Sequence, residues 1–219
     1  MSFVVAIDGP AGSGKGTVTK RIAQEMGITN IDTGATYRCV ALAVIENHVL
    51  LEERSKIIEL AKSIKIDMDI EQNVFLNGKN VTKQIRSKEV SAIVSQVSSI
   101  KEVRLIMVEL QRKLAEGKNV IMEGRDITTY VFPNANVKIY LDASLEERAK
   151  RRYKEMQERQ IETTYEEILV NIKMRDENDK NKEIGSLRIA NDAIVVDTTK
   201  LSIDEVVKKI KKIIKDAME

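Results

Sequence analysis

The stretch Gly9-Pro-Ala-Gly-Ser-Gly-Lys-Gly-Thr17 decides the fold. It contains G-x-x-x-x-G-K, follows the apolar run Phe3 to Ile7 and opens a helix expected from Lys15, which is the strand–loop–helix setting of a phosphate-binding P-loop. Glycines in such a loop let successive backbone N–H groups turn inward around a phosphate, and the helix N-terminus adds partial positive charge. Lys15 reaches the β and γ oxygens of a nucleotide. Gly9, Pro10, Ala11, Gly12, Ser13, Gly14, Lys15, Gly16 and Thr17 are accordingly the expected nucleotide-binding residues.

Phe3 to Ile7 is apolar without interruption, which suits a strand buried on both faces of a parallel sheet. Comparable runs stand at Ile28 to Ile31, Asn119 to Met122, Val137 to Leu141 and Ala193 to Val196, separated by segments whose apolar residues repeat at helical spacing. That alternation predicts an α/β fold with a five-stranded parallel sheet flanked by helices. Ser144 with Glu147 and Ser202 with Glu205 match the capping-box pattern and mark helix starts. The last helix places Val206, Val207, Ile210, Ile213, Ile214 and Ala217 on one face, with lysines around the rest as a solvated basic face.

One segment breaks this rhythm. Ile66 to Ile70 alternates apolar with acidic residues, Val74 to Leu76 is apolar and Asn77-Gly78 is a hairpin signal, so a small antiparallel insert is expected over about residues 65 to 86. Helices should follow from about Ser87 and about Lys101.

Composition narrows the function. The 219 residues suit one globular domain, and two prolines with no Gly/Ser-rich stretch leave no linker. A formal charge of +2 gives no general preference for nucleic acid or membrane. Cys39 among Val40, Ala41 and Leu42 suggests a core position in a reducing compartment. The apolar start is too short for a secretory signal and no stretch approaches the roughly 18 apolar residues of a membrane span, so a cytoplasmic protein is expected. The acidic residues Asp67, Asp69, Glu52 and Glu53 read as solvated faces; with His48 isolated, no protein-built metal site is expected.

Gly16 stands where general P-loops carry the Ser/Thr that ligates Mg²⁺, and the hydroxyl arrives one residue later as Thr17. The guanine-reading N-K-x-D run of switch GTPases is absent. Asp32-Thr-Gly-Ala-Thr-Tyr-Arg38 and Glu123-Gly-Arg-Asp126 instead follow predicted strands, where open α/β sheets bind ligands. Arg38 and Arg125 are therefore candidates for bidentate phosphate recognition. Arg148, Arg151, Arg152, Arg175, Asp176, Asp179 and Lys182 read as a lid that closes over the transferring oxygens; a helix surface laced with ion pairs is the alternative.

Together, D-T-G-A-T-Y-R, S-Q-V, E-G-R-D followed by V-F-P, and R-D-x-x-D resemble the bacterial cytidylate kinase family over nearly the whole chain. The resemblance implies one P-loop kinase domain over 1–219, with an inserted monophosphate-binding subdomain at about 62–98 and a lid at about 149–183. It implies ATP with Mg²⁺ as donor, CMP and dCMP as acceptors, and CDP and dCDP as products. Thr33, Arg38 and Arg125 are implied on the CMP phosphate, Ser95, Arg104 and Asp126 on the cytosine edge, and Arg175 and Asp179 on ribose and phosphates. Lys15, Arg125, Arg148, Arg152 and Arg175 would act on the transferring group. Lys182 departs from the family's R-D-x-x-D-x-x-R; in a helix it would lie one and two turns from Asp179 and Arg175 on one face. Because lid and insert must both move, a monomer is expected. Kinases of UMP, AMP or shikimate, and a P-loop protein that holds nucleotide without turnover, are the rival readings.

Overall fold

The computed structural model describes residues 2–69, 71–158 and 160–219. Strand β1 (Val4–Asp8) lies at the centre of a five-stranded parallel sheet with β2 (Thr29–Asp32), β6 (Val120–Gly124), β7 (Val137–Asp142) and β8 (Ile194–Asp197), in the spatial order β2-β6-β1-β7-β8. The apolar runs all form strands, and the ladders continue past them into polar residues. The register pairs Ile7 and Asp32 with Glu123, Asp8 with Gly124 and Asp142 with Asp197. Acidic groups thereby line the carboxyl edge. The chain turns left to β2 and later right to β7, so the loop after β1 sits at the topological switch point where such sheets bind ligands.

Side chains alternate across β1. Val5 and Ile7 pack under α1 (Lys15–Met26) and α8 (Ile203–Asp216) against Ile22, Val207 and Ile210, whereas Val4 and Ala6 meet Val108 of α5 (Lys101–Ala115) on the opposite face. In α8, Val206, Val207, Ile210 and Ile214 are buried, while Ala217 lies beyond the helix and is exposed. Ser202 and Glu205 form a complete capping box. Ser144 supplies only half of one: its hydroxyl accepts from the Glu147 amide, but its own amide donates to Thr199 and Glu147 is drawn to Arg151. Thr164 and Glu167 form a further box at the start of α7 (Tyr165–Lys180), which packs antiparallel to α6 (Leu145–Glu158) through Ala149, Met156, Ile168 and Ile172.

The insert is a three-stranded antiparallel sheet, β3 (Ile66–Met68), β4 (Val74–Leu76) and β5 (Lys79–Asn80). Asn77 and Gly78, at φ 50° and 83°, make the tight β4–β5 turn. Part of the expected Ile66 to Ile70 alternation, at Ile70, lies outside the described residues. Helix α2 (Thr33–Glu46), with Cys39 fully buried, joins α3 (Arg54–Ser63), α4 (Lys88–Val97) and the insert in a second core through Val40, Ile57, Leu76 and Val94.

Asp8 fastens the far side of the switch point. Its Oδ1 accepts from the Ile127 amide at 2.8 Å, and its Oδ2 accepts from the Thr128 amide at 2.7 Å and hydroxyl at 2.6 Å, fixing the wide turn Ile127–Val131 that leaves β6. Burial pushes the Asp8 carboxyl up to about 6, against the pull of these donors. A folded-state pKa above the unfolded value gives stability that is complete below the unfolded pKa and is lost as pH rises through about 6. Between pH 7 and 5 the wild type should therefore gain on the order of 1 kcal/mol relative to Asp8→Asn, measured by urea unfolding at both pH values. A pH-independent difference would show that the carboxyl titrates in its ordinary range.

Candidate active site

The P-loop packs closely against β7. A Cβ on Gly9 would lie 2.1 Å from the Leu141 carbonyl oxygen, so the loop passes β7 at a distance only glycine permits. Lys15 is 6% exposed, and its ammonium donates to the carbonyls of Gly9 at 2.7 Å and Pro10 at 2.8 Å and to Ser13 Oγ at 3.2 Å. Burial pulls this ammonium down and the Arg125 charge adds to the effect; burial and the Asp32 carboxylate push Glu123 up. A phosphate placed against Lys15 would reverse its shift, because opposite charge favours the ammonium.

Glu123 also crowds Gly16: a Cβ there would sit 3.1 Å from Glu123 Oε1, close enough that the carboxylate end would have to shift by a few tenths of an ångström. Thr17 is exposed at the next position. Asp32 and Glu123, opposite each other on β2 and β6, are carboxylates at the loop edge that suit a hydrated divalent cation carried on nucleotide phosphates.

Beside this loop Arg38, Arg86, Arg125, Arg152 and Arg175 lie close enough to repel one another. Arg38 donates to the Ile85 carbonyl at 3.1 Å and Ser91 Oγ at 3.0 Å and forms no ion pair among the described residues. Burial pulls it down to about 10, with Arg175, Arg86 and Arg152 adding repulsion. Burial likewise lowers Arg175, with Arg125 and Arg152 adding to it. Like charges crowded together while partly desolvated make a strong site for a dianion. Thr33, just ahead, donates its hydroxyl to the Glu123 carbonyl at 2.7 Å.

Arg104 and Asp126 form a buried ion pair. Arg104 donates to Asp126 Oδ2 at 2.5 Å and to the Ser98 carbonyl at 3.1 Å, and its guanidinium lies 5.2 Å from the centre of the Tyr37 ring. Burial pushes the Asp126 carboxyl up against the pull of Arg104. Ser95, on α4, is half-buried one turn before Ser98, and its carbonyl accepts from the Ser98 and Ser99 hydroxyls.

The lid arginines divide between two tasks. Arg152 pairs with Glu155 and faces the arginine cluster, whereas Arg148 is buried, donating to the carbonyls of Ala143 and Ala11 at 3.0 Å each and to Asp176 Oδ2 at 2.6 Å. Asp179 accepts from Arg125 at 2.8 Å and from Lys182 at 2.7 Å. The two cations hold its carboxyl well below the usual range in spite of burial. Helix α7 ends at Lys180, so Lys182 does not continue its face; it folds back from beyond the helix to reach Asp179 and, at 3.3 Å, Ser98 Oγ.

Residues 5–216 match the family model described as cytidylate kinase. The chain belongs to the cytidylate kinase family. A cytidylate kinase of Caldicellulosiruptor bescii is 49% identical over 94% of this chain and 92% of its own length. Another, of Caldanaerobacter subterraneus subsp. tengcongensis, is 49% identical over 96% of this chain and 93% of its own. The crystal structure of an uncharacterized protein from Eubacterium ventriosum covers 98% of this chain and 99% of that one with a TM-score of 0.55; at 13% identity it shows the fold alone.

In this cytidylate kinase family member, the sequence gives no separate role to two groups that the site uses. Glu123 stands within its motif, though a charged residue ending an apolar strand run at a switch point is a usable signal. Asp8 has the same signature. Asp176, which the sequence places in the lid cluster, has a further task there: its Oδ1 accepts from the Ala11 amide at 3.3 Å while Oδ2 holds Arg148, clasping α7 to the P-loop. Asp176→Ala would leave Arg148 buried and uncompensated, so the protein should lose about 3 kcal/mol of unfolding free energy, measured by denaturant titration. A loss within about 0.5 kcal/mol would show that the pair is solvated and not a clasp.

Proposed function

We propose that this protein transfers the γ-phosphoryl group of ATP to CMP and dCMP, giving CDP and dCDP for pyrimidine nucleotide metabolism. The observation that carries the reading is the crowding of Arg38, Arg125, Arg152 and Arg175 opposite Lys15, with the Arg104–Asp126 pair alongside. The P-loop amides and Lys15 hold the donor phosphates. Arg38, Arg125 and Thr33 hold the acceptor phosphate, and Arg175 with Asp179 faces the ribose and phosphates. Transfer is in line, with no covalent enzyme intermediate, and the arginines stabilise charge on the transferring oxygens.

Arg148 acts by ordering the loop, and Lys182 by holding Asp179 and, through it, Arg125. Glu123 and Asp32, with the Thr17 hydroxyl, would hold Mg²⁺ through its hydration shell; bound there, the ion neutralises charge on the donor phosphates. Residues of about 62–98 form the monophosphate-binding subdomain and about 149–183 the lid. The protein works as a cytoplasmic monomer.

Base selection follows from hydrogen-bond direction. Cytosine offers its exocyclic amine to Asp126 and its ring N3 to Arg104, whereas uracil reverses both and leaves buried polar groups unpaired. Ser95 completes that edge. A coupled assay of ADP release over CMP, dCMP, UMP, AMP and shikimate separates this reading from the rival acceptors and from nucleotide binding without turnover; preference for an acceptor other than a cytidine monophosphate would overturn it. Lys15→Met should lower kcat about 10³-fold or more while the fold survives. Asp126→Ala should lose several kcal/mol of CMP-over-UMP discrimination in kcat/KM, far more than its change in ATP KM.

A further inference from the structure

Between α7 and β8 the chain crosses the Arg104–Asp126 pair. Residues 181–187 are anchored at both ends on Asp179: Lys182 Nζ binds its carboxylate at 2.7 Å, and the Leu187 amide binds its carbonyl at 2.8 Å. Ser186 and Leu187 are buried. At the middle of this strap the Gly185 carbonyl accepts from Arg104 Nη2 at 3.3 Å, the same nitrogen that donates to Asp126. A Cβ at position 185 would lie 2.0 Å from Asp126 Oδ2 and 2.4 Å from Arg104 Nη2. No side chain fits there without moving the strap or the pair. Arg104 Nε is buried and has no partner among the described residues, so the pair retains a donor that these residues do not satisfy.

We infer that Gly185 is a specificity-determining residue, the backbone wall that seals the base-reading pair and sets its geometry. The inference rests on the assignment of Arg104 and Asp126 to the base edge. Its physical content is exclusion: the strap keeps water from the pair, and its carbonyl holds one terminal guanidinium nitrogen while the Ser98 carbonyl holds the other. Because the strap hangs on Asp179, which also holds Arg125, closure over the base and alignment of the acceptor phosphate are mechanically joined.

Substitution separates this role from ordinary backbone strain, since Gly185 has a left-handed φ of +63° and Gly117 one of +70° with nothing within 4 Å of a built Cβ. Both Gly→Ala changes strain the backbone alike, and only Gly185→Ala meets the pair. Gly185→Ala should lower kcat/KM for CMP, and the CMP-over-UMP ratio, about tenfold or more with ATP KM within about twofold, while Gly117→Ala leaves all three unchanged. An unchanged ratio in Gly185→Ala, or an equal loss in Gly117→Ala, overturns the inference. Asp126→Ala in the same series separates the two layers: lost selectivity there with none lost in Gly185→Ala sinks the strap alone, whereas no change in either sinks the base-edge assignment and the strap with it. Should Gly185→Ala not fold, amide exchange of the wild type decides: CMP alone should change protection across residues 183–187 and an ATP analogue alone should not, and an indifferent strap overturns the inference.

Discussion

Asp179 is the constraint on which the rest of the site depends. Its carboxylate oxygens hold Arg125 and Lys182 and its carbonyl holds Leu187, so one residue near the end of α7 ties together the turn after β6, the segment following α7 and Leu187 beyond it. Without a carboxylate at that point, two cations would face Arg38, Arg152 and Arg175 in a cleft where water screens little. The pair of cations in turn keeps Asp179 ionised far into acid.

Three Arg–Asp pairs organise the proposed site: the buried Arg148–Asp176 beside the P-loop, the part-buried Arg125–Asp179, and the buried Arg104–Asp126 that the proposed function assigns to the base. Buried pairs of this kind contribute little net stability, since desolvation offsets most of their attraction. Their effect is directional. Each planar guanidinium is held from several sides by carboxylate and carbonyl acceptors, which is the preorganisation that a transfer reaction resting on positioning requires.

What the sequence made legible is what local chemistry encodes. The P-loop, the five strands, the Asn77-Gly78 turn and the α8 capping box each declare themselves within a few residues. Ser144 shows the limit of that reading: the motif is present, but Thr199, distant in sequence, takes the Ser144 amide and Arg151 takes the Glu147 carboxylate. Lys182 shows another, because helical spacing was extended two residues past the point where α7 stops. The Asp176 clasp and the seat of Gly185 join residues far apart in the chain, so no window of sequence contains them. Family resemblance singles out Arg104 and Asp126, whereas only packing reveals how closely Gly185 lies across them.

The internal bonds of Lys15 bear on how tightly nucleotides are held. Because the ammonium is already fixed by Gly9, Pro10 and Ser13, the loop's conformational entropy is surrendered when the chain folds and not when a ligand arrives. On the proposed function, an incoming phosphate would exchange neutral carbonyl acceptors for charged oxygens, so the affinity that the loop adds would scale with the negative charge presented. Once the donor had lost its terminal phosphate, the loop's own carbonyls would compete again for the lysine and favour release of the spent nucleotide.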